Sequence, residues 1–129
     1  VALKNIEMLK NLLAGDDFPA RMEYFGNALR NHFMGHPNVA QVRQRGFTCA
    51  IDLCPAGALA EVFPAPARTG LKVILKAREH GLLLRPLGDT LLLVPPLVIS
   101  REEVDFLCRT TLQAMDETLQ THPSSNPHL

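Results

Sequence analysis

The chain has 129 residues, of which 47% are apolar, enough to build one ordinary hydrophobic core. Thirteen basic residues balance thirteen acidic ones, so we expect neither nucleic acid nor a membrane surface as a partner. No apolar stretch approaches the roughly 20 residues of a spanning helix, and the charged residues of the opening segment do not fit a secretion signal. The three cysteines form no Cys-x-x-Cys pair, which favours free thiols in the cytoplasm over a disulfide framework.

The opening segment predicts an amphipathic helix. Its apolar residues recur at helical spacing: Leu3, Ile6, Leu9 and Leu13. Gly15 is expected to close the helix in a left-handed conformation. Because no Ser, Thr, Asp or Asn stands before Leu3 as an N-cap, we expect the chain to be cut from a longer polypeptide.

A second helix is predicted over residues 18–34, where one face is apolar. The residues of that face are Met22, Phe25, Leu29, His32 and Phe33. Gly35 and Pro37 are expected to end this helix. His32 and His36 are four residues apart, but Gly35 separates them and no third ligand is evident, so no metal site is predicted.

The segment GFTCAIDLC predicts a half-covered strand, because apolar and polar residues alternate along it. The side expected to face the helices comprises Phe47, Cys49, Ile51 and Leu53. Cys54 has the opposite parity from Cys49, so we expect one core thiol and one surface thiol. The proline- and alanine-rich residues 55–68 predict an irregular loop, which at this length is more often functional or interface-forming than idle.

A third helix is predicted over TGLKVILKAREHG, ending at Gly81. Its expected buried face comprises Leu71, Ile74, Leu75 and Arg78. The segments LLLR and TLLLV then predict two short strands joined by a turn over residues 86–89.

The last helix is predicted to begin with a capping box of Ser100 and Glu103, after Pro95 ends the preceding strand. The residues expected on its buried face are Val104, Leu107, Cys108, Thr111, Leu112, Met115 and Leu119. Residues 121–129 lack periodicity and are expected to be a flexible tail, which leaves residues 1–120 as one domain. A three-stranded antiparallel sheet with helices packed on one face satisfies the order of the elements, so the predicted fold class is α+β.

No complete active site is evident in the sequence. There is no Gly-x-Ser-x-Gly and no glycine-rich phosphate loop, so no catalytic residue, cofactor-binding residue or metal ligand is predicted in this chain. Arg85 is the candidate binding residue, because a guanidinium at a strand end can hold a carboxylate through two hydrogen bonds. The alternative is that Arg85 reaches solvent or pairs with Asp89 across the turn.

The stretch GLLLRPLGDTLLLVPPLVIS, followed by an acid-rich helix start, resembles the C-terminal region of class III pyridoxal-phosphate-dependent aminotransferases. Upstream, HPNVAQVRQRGFTCAIDL is similar to that family's strand entry, and VALKNIEML resembles the helix that leads out of its large domain. The resemblance covers about residues 1–118 and is most specific at Arg-Pro-Leu-Gly. It implies the small domain of a cytoplasmic, homodimeric enzyme whose own large domain binds most of the pyridoxal phosphate.

The resemblance also implies roles for individual residues. In the branch of the family that aminates 8-amino-7-oxononanoate in biotin synthesis, the arginine of this motif binds the substrate carboxylate, a role that falls on Arg85. Arg43 matches an arginine for which we expect a structural role. The family's Schiff-base lysine lies in the large domain, so this chain alone is expected to be inactive.

Several alternatives stay open at this point. Pro95-Pro96-Leu97 departs from the Pro-Pro-Tyr of many adenosylmethionine-using members, so the small-molecule amino donor can be adenosylmethionine, lysine or another amine. The acceptor is expected to be a keto acid. The chain can also belong to another class III ω-amino-acid transaminase, or be a self-standing, non-catalytic domain that binds carboxylates or a partner protein.

Overall fold

A computed structural model describes residues 1–15 and 17–119 of the chain. Within these ranges the helices and strands are α1 (Ala2–Ala14), α2 (Asp17–Phe33), β1 (Val39–Arg45), β2 (Thr48–Leu53), α3 (Thr69–Glu79), β3 (Arg85–Leu87), β4 (Thr90–Leu93) and α4 (Arg101–Leu119). The predicted α+β class is confirmed. The tail predicted over residues 121–129 lies outside the described residues. No helix in the described ranges is long and apolar enough to cross a membrane.

The antiparallel sheet has four strands in the order β1-β2-β4-β3, so the prediction of three strands is wrong. The additional strand is β1, which pairs with β2. Its sequence, VAQVRQR, is mostly polar because β1 is an edge strand whose side chains are largely exposed, so no apolar alternation marks it. A two-residue turn joins it to β2, and Gly46 supplies the φ of +60° at that turn.

Helices α2, α3 and α4 pack on one face of the sheet, as the alternation in β2 predicts. Cys49, Ile51 and Leu53 are buried on that face. Leu91 and Leu93 of β4 lie beside them and are also buried. The residues between these positions point to the opposite face and are more exposed. We call that side the open face of the sheet.

Helix α3 buries only part of the face that the sequence predicts: Ile74 is buried and Leu71 is partly buried, as expected. Val73 and Ala77 are fully buried, whereas Leu75 is 45% exposed and Arg78 is exposed. The rotation of the helix about its axis is set by Gly70, which packs against the β3–β4 turn. This contact cannot be predicted from the spacing of apolar residues along the helix alone.

Two smaller expectations are also wrong. Gly15 is extended, with φ −68° and ψ 141°, and its carbonyl oxygen accepts a hydrogen bond from the Phe18 amide in the first turn of α2 at 3.2 Å. Cys54 is buried, since the strand ends at Leu53 and its alternation no longer applies. The Cys54 thiol donates to the Pro37 carbonyl oxygen at 3.6 Å.

Two segments leave apolar side chains exposed. Helix α1 has no buried residue, and Leu3 and Met8 are 77% and 60% exposed. Residues 55–68 are irregular as predicted, apart from a short 3₁₀ turn at Ala65–Ala67, and they expose Leu59 and Val62. Both segments therefore offer apolar surface that the described core does not use.

The predicted capping box at the start of α4 is confirmed. The Glu103 amide donates to the Ser100 hydroxyl at 3.1 Å, and the Ser100 amide donates to the Glu103 carboxylate at 3.1 Å. Hydrogen bonding of the Glu103 carboxylate to the Ser100 amide, and to a lesser degree to the Ser100 side chain, lowers the pKa of Glu103, because it favours the charged form. The box fixes where α4 begins, directly after the segment that leaves β4.

Candidate functional site

Arg85 lies at the start of β3, at the edge of the sheet, rather than at the end of a strand. Pro86 and Leu87 belong to β3, although the sequence predicts them in the turn. The turn itself is Gly88, with φ +60°, and Asp89. An edge strand tolerates Pro86 because no further strand needs its missing amide.

Contacts at this turn hold the hairpin against α3 and β2. The Asp89 carboxylate accepts a hydrogen bond from the Gly70 amide at 2.9 Å, and the Asp89 carbonyl oxygen accepts one from the Leu53 amide at 2.9 Å. A Cβ added to Gly70 would clash with the Gly88 carbonyl oxygen, so glycine allows the close approach. Asp89 is thus engaged by backbone amides and does not pair with Arg85.

Arg85 lines an open groove of about 400 Å³. The other lining residues are Arg78, Leu83, Leu84, Leu92 and Val94. Four of the lining side chains are apolar, but the surface of the groove as a whole is about as polar as it is apolar, and no acidic residue of the described ranges is among them. Arg85 is exposed, and among residues 1–15 and 17–119 its guanidinium takes part in no hydrogen bond or ion pair. A charged guanidinium beside leucine walls can bind a carboxylate that carries an apolar chain.

Comparison with known proteins identifies the family. The family model described as aminotransferase class-III matches residues 1–115. The chain belongs to the class-III aminotransferase family. The fold agrees with this: the crystal structure of adenosylmethionine-8-amino-7-oxononanoate aminotransferase from Methanocaldococcus jannaschii superimposes with a TM-score of 0.78 at 30% identity, over 88% of this chain and 25% of that one.

Two curated relatives show the range of activities among similar class-III aminotransferases. Adenosylmethionine-8-amino-7-oxononanoate aminotransferase of Aquifex aeolicus is 36% identical over 117 residues, which are 91% of this chain and 26% of that protein. Putrescine–pyruvate aminotransferase of Pseudomonas aeruginosa is 30% identical over 122 residues, which are 92% of this chain and 26% of that protein. The chain therefore spans about a quarter of the length of these relatives.

Arg43 lies away from the groove of this aminotransferase chain. It is in β1, at the sheet edge opposite Arg85, and it donates to the Asp52 carboxylate at 2.8 Å. The same carboxylate oxygen accepts the Thr90 hydroxyl at 2.6 Å. The Arg43 side chain is 54% exposed, so its ion pair contributes little free energy and mainly links neighbouring strands.

The two histidines considered as metal ligands have separate partners. His32 Nδ1 lies 2.7 Å from the Ala28 carbonyl oxygen in its own helix. His36 Nε2 lies 2.8 Å from the Asp116 carboxylate of α4. Among the residues that the structure describes, no group of three or more His, Cys, Asp or Glu side chains could hold a metal ion.

The cysteines and lysines of the chain do not have the setting of activated nucleophiles. Burial raises the pKa of Cys49 and of Cys108 to about 12, so both thiols stay protonated at neutral pH. Lys76 donates to Glu79 at 3.0 Å, which raises the pKa of Lys76 and stabilises its charged form. The other three lysines are exposed on helices: Lys4, Lys10 and Lys72.

Arg78 is the groove residue that sequence reasoning misses. The sequence predicts it on the buried face of α3, and the structure exposes it at the same groove as Arg85. A usable signal is the spacing of Gly70, Val73 and Ala77, small or β-branched residues that recur along one face of α3 and prove to be buried. If that face is taken as the buried one, Arg78 is predicted to be exposed.

Proposed function

We propose that residues 1–120 form the C-terminal small domain of a pyridoxal-phosphate-dependent aminotransferase, in which Arg85 binds the carboxylate of the keto-acid acceptor. The observation that carries the proposal is an exposed Arg85 in a groove that leucine side chains line and that, within the described residues, no acidic residue lines. The guanidinium is charged at any working pH and offers two parallel donors to a carboxylate. The leucine walls suit an aliphatic chain behind that carboxylate.

A second surface is needed to complete this site. An exposed ion pair contributes only about 0–1 kcal/mol, because water competes for both partners. Tight acceptor binding therefore requires that another part of the protein cover the groove and exclude water. We assign this role to the enzyme's own large domain, in a full-length homodimer of the cytoplasm. The exposed apolar side chains of α1, such as Leu3 and Met8, support a contact with a further apolar surface.

The acceptor that we propose is 8-amino-7-oxononanoate, aminated during biotin synthesis. It joins one terminal carboxylate to an aliphatic chain, which is the combination that Arg85 and the leucine walls accommodate. The Arg-Pro-Leu-Gly motif and the relative from Aquifex aeolicus support this choice. The amino donor is not assigned, because Leu97 stands where many adenosylmethionine-using members have tyrosine.

The cofactor is proposed to bind mainly outside this chain. Lys76 is held by Glu79 and keeps its proton, whereas a lysine that bonds covalently to pyridoxal phosphate must lose it. The remaining lysines are exposed on helices, so the residues present do not fit a pyridoxal phosphate site. When bound in the enzyme, the cofactor carries the amino group between donor and acceptor. We therefore propose that this chain contributes acceptor binding and that it is inactive alone.

A second candidate is a class-III transaminase that acts on other ω-amino compounds. The 30% identity with putrescine–pyruvate aminotransferase supports it, because the Arg85 guanidinium can bind the carboxylate of other keto acids as well. A self-standing carboxylate-binding or protein-binding domain is the alternative outside catalysis. The sequence of the gene upstream of Val1 distinguishes the two enzyme candidates from the stand-alone domain. A large domain with a cofactor-binding lysine encoded there supports an enzyme, and a start codon next to Val1 contradicts an enzyme.

The kinetic test uses Arg85→Gln in the full-length polypeptide that contains this chain. The loss of a charged, two-pronged hydrogen bond is expected to raise the acceptor KM by roughly ten-fold or more and to change the donor KM by less than about two-fold. Arg45→Gln is the matched control, because Arg45 is also an exposed strand arginine but lies in β1. Acceptor kinetics that are unchanged in Arg85→Gln would remove Arg85 from the site.

A further inference from the structure

Two arginines from different elements meet at one groove. Arg78 belongs to the last turn of α3, and Arg85 begins β3. Both line the same groove, together with leucine and valine side chains. The sequence-based role assigned to this region involves Arg85 alone, so the second guanidinium has no assigned function.

The acidic residues next to these arginines are engaged elsewhere. Glu79, adjacent to Arg78 in sequence, accepts a hydrogen bond from Lys76 at 3.0 Å. Asp89, in the turn after β3, accepts the Gly70 amide at 2.9 Å. Within residues 1–15 and 17–119 no acidic side chain lines the groove, and neither guanidinium has a hydrogen-bond or ion-pair partner. Two positive charges therefore share one groove without a counter-charge from the described chain.

We propose that Arg78 is a second anion-binding residue of this groove, and that dicarboxylates are a further class of ligand that competes with the acceptor for Arg85. This inference rests on the proposed role of Arg85. Two like charges at one groove repel each other, and a ligand with two negative charges neutralises both, whereas a monocarboxylate neutralises one. The leucine walls accept the methylene chain that joins the two carboxylates.

The test titrates the 129-residue chain at low salt with suberate, octanoate and octanamide, which have equal chain lengths and two, one and no negative charges. The side-chain Nε–Hε signals of the arginines are followed by nuclear magnetic resonance. Suberate is expected to shift the signals of both Arg78 and Arg85, octanoate mainly that of Arg85, and octanamide neither. Suberate is expected to bind about two- to five-fold more tightly than octanoate, which is the gain from one more exposed ion pair.

Three variants separate this inference from the proposed function. Arg78→Gln is expected to reduce suberate affinity to that of octanoate and to change octanoate affinity by less than about two-fold. Arg85→Gln is expected to lower the affinity for both suberate and octanoate, and the control Arg45→Gln is expected to lower neither. A suberate preference that is absent in the wild type, or that persists in Arg78→Gln, overturns the role of Arg78 and leaves that of Arg85 intact. Octanoate binding that is unaffected by Arg85→Gln overturns both.

Discussion

Replacing Gly70 with alanine is expected to displace the hairpin that carries Arg85. The added Cβ would clash with the Gly88 carbonyl oxygen and would lie 3.1 Å from the Asp89 Cα. Both are backbone atoms of the β3–β4 turn, so no side-chain rotation relieves the contact. Helix α3 and the hairpin must therefore separate, which also strains the hydrogen bond from the Gly70 amide to Asp89.

The expected loss of stability is the sum of the steric clash, the weakened hydrogen bond and the difference in helix propensity between glycine and alanine. Overpacking of this kind costs about 1–3 kcal/mol, and the weakened hydrogen bond adds about 1 kcal/mol. The higher helix propensity of alanine stabilises the folded state by at most about 1 kcal/mol, and by less in the first turn of a helix, where Gly70 lies. The free energy of unfolding should fall by about 1–3 kcal/mol, and the Tm by about 4 °C for each kcal/mol.

Urea unfolding followed by circular dichroism measures this change, and the Arg85 Nε–Hε signal reports the displacement of the hairpin. Gly15→Ala is the matched control. Gly15 has a negative φ of −68°, and a Cβ there would come no closer than 3.4 Å to the Leu12 carbonyl oxygen. Its stability should change by less than about 0.5 kcal/mol. If Gly70→Ala is as stable as Gly15→Ala and leaves the Arg85 signal unmoved, Gly70 does not position the hairpin.

Two further predictions concern contacts that hold the helices. The Tyr24 hydroxyl donates to the Asp105 carboxylate at 2.7 Å, and this hydrogen bond raises the pKa of Tyr24. The stabilisation that the bond gives should therefore be complete below about pH 10. It should be lost as the pH rises through the raised pKa of Tyr24 in the folded protein. Absorbance titration of Tyr24, the single tyrosine of the chain, should give a midpoint pH above that of free tyrosine, and Asp105→Asn should lower this midpoint. An equal midpoint in the wild type and in Asp105→Asn would argue against the hydrogen bond. Arg21 is buried and donates to the carbonyl oxygens of Leu97 and Ile99 at 2.7 and 2.9 Å, so Arg21→Met should reduce the free energy of unfolding in urea by about 2 kcal/mol, and an unchanged midpoint would refute that role.

The elements with a strong internal pattern could be predicted from the sequence. Helix α2 and strand β2 each bury one face of a regular repeat, as at Phe25 and Ile51, and the local signal suffices for them. The capping box at Ser100 is likewise local, because its two partners are three residues apart. Such features depend on neighbours in sequence, which are visible without the fold.

The errors arise where distant contacts decide the outcome. Strand β1 exists because β2 offers it a partner, and its polar residues, such as Gln41, carry no apolar period. The rotation of α3 depends on Gly70 meeting a turn 19 residues away. That same contact occupies Asp89, and it thereby decides that Arg85 is not paired across its own turn. Sequence could name Arg85 as a candidate through resemblance, but its exposure and the presence of Arg78 beside it require the packed structure.

The central claim is that Arg85 binds the acceptor carboxylate, and a thermodynamic cycle tests it most directly. The full-length enzyme and its Arg85→Gln variant are compared in kcat/KM for 8-amino-7-oxononanoate and for its terminal amide, which has the same shape without the charge. The wild type should prefer the carboxylate by roughly ten- to one-hundred-fold, and Arg85→Gln should show almost no preference. A preference of the same size in both proteins would contradict the account.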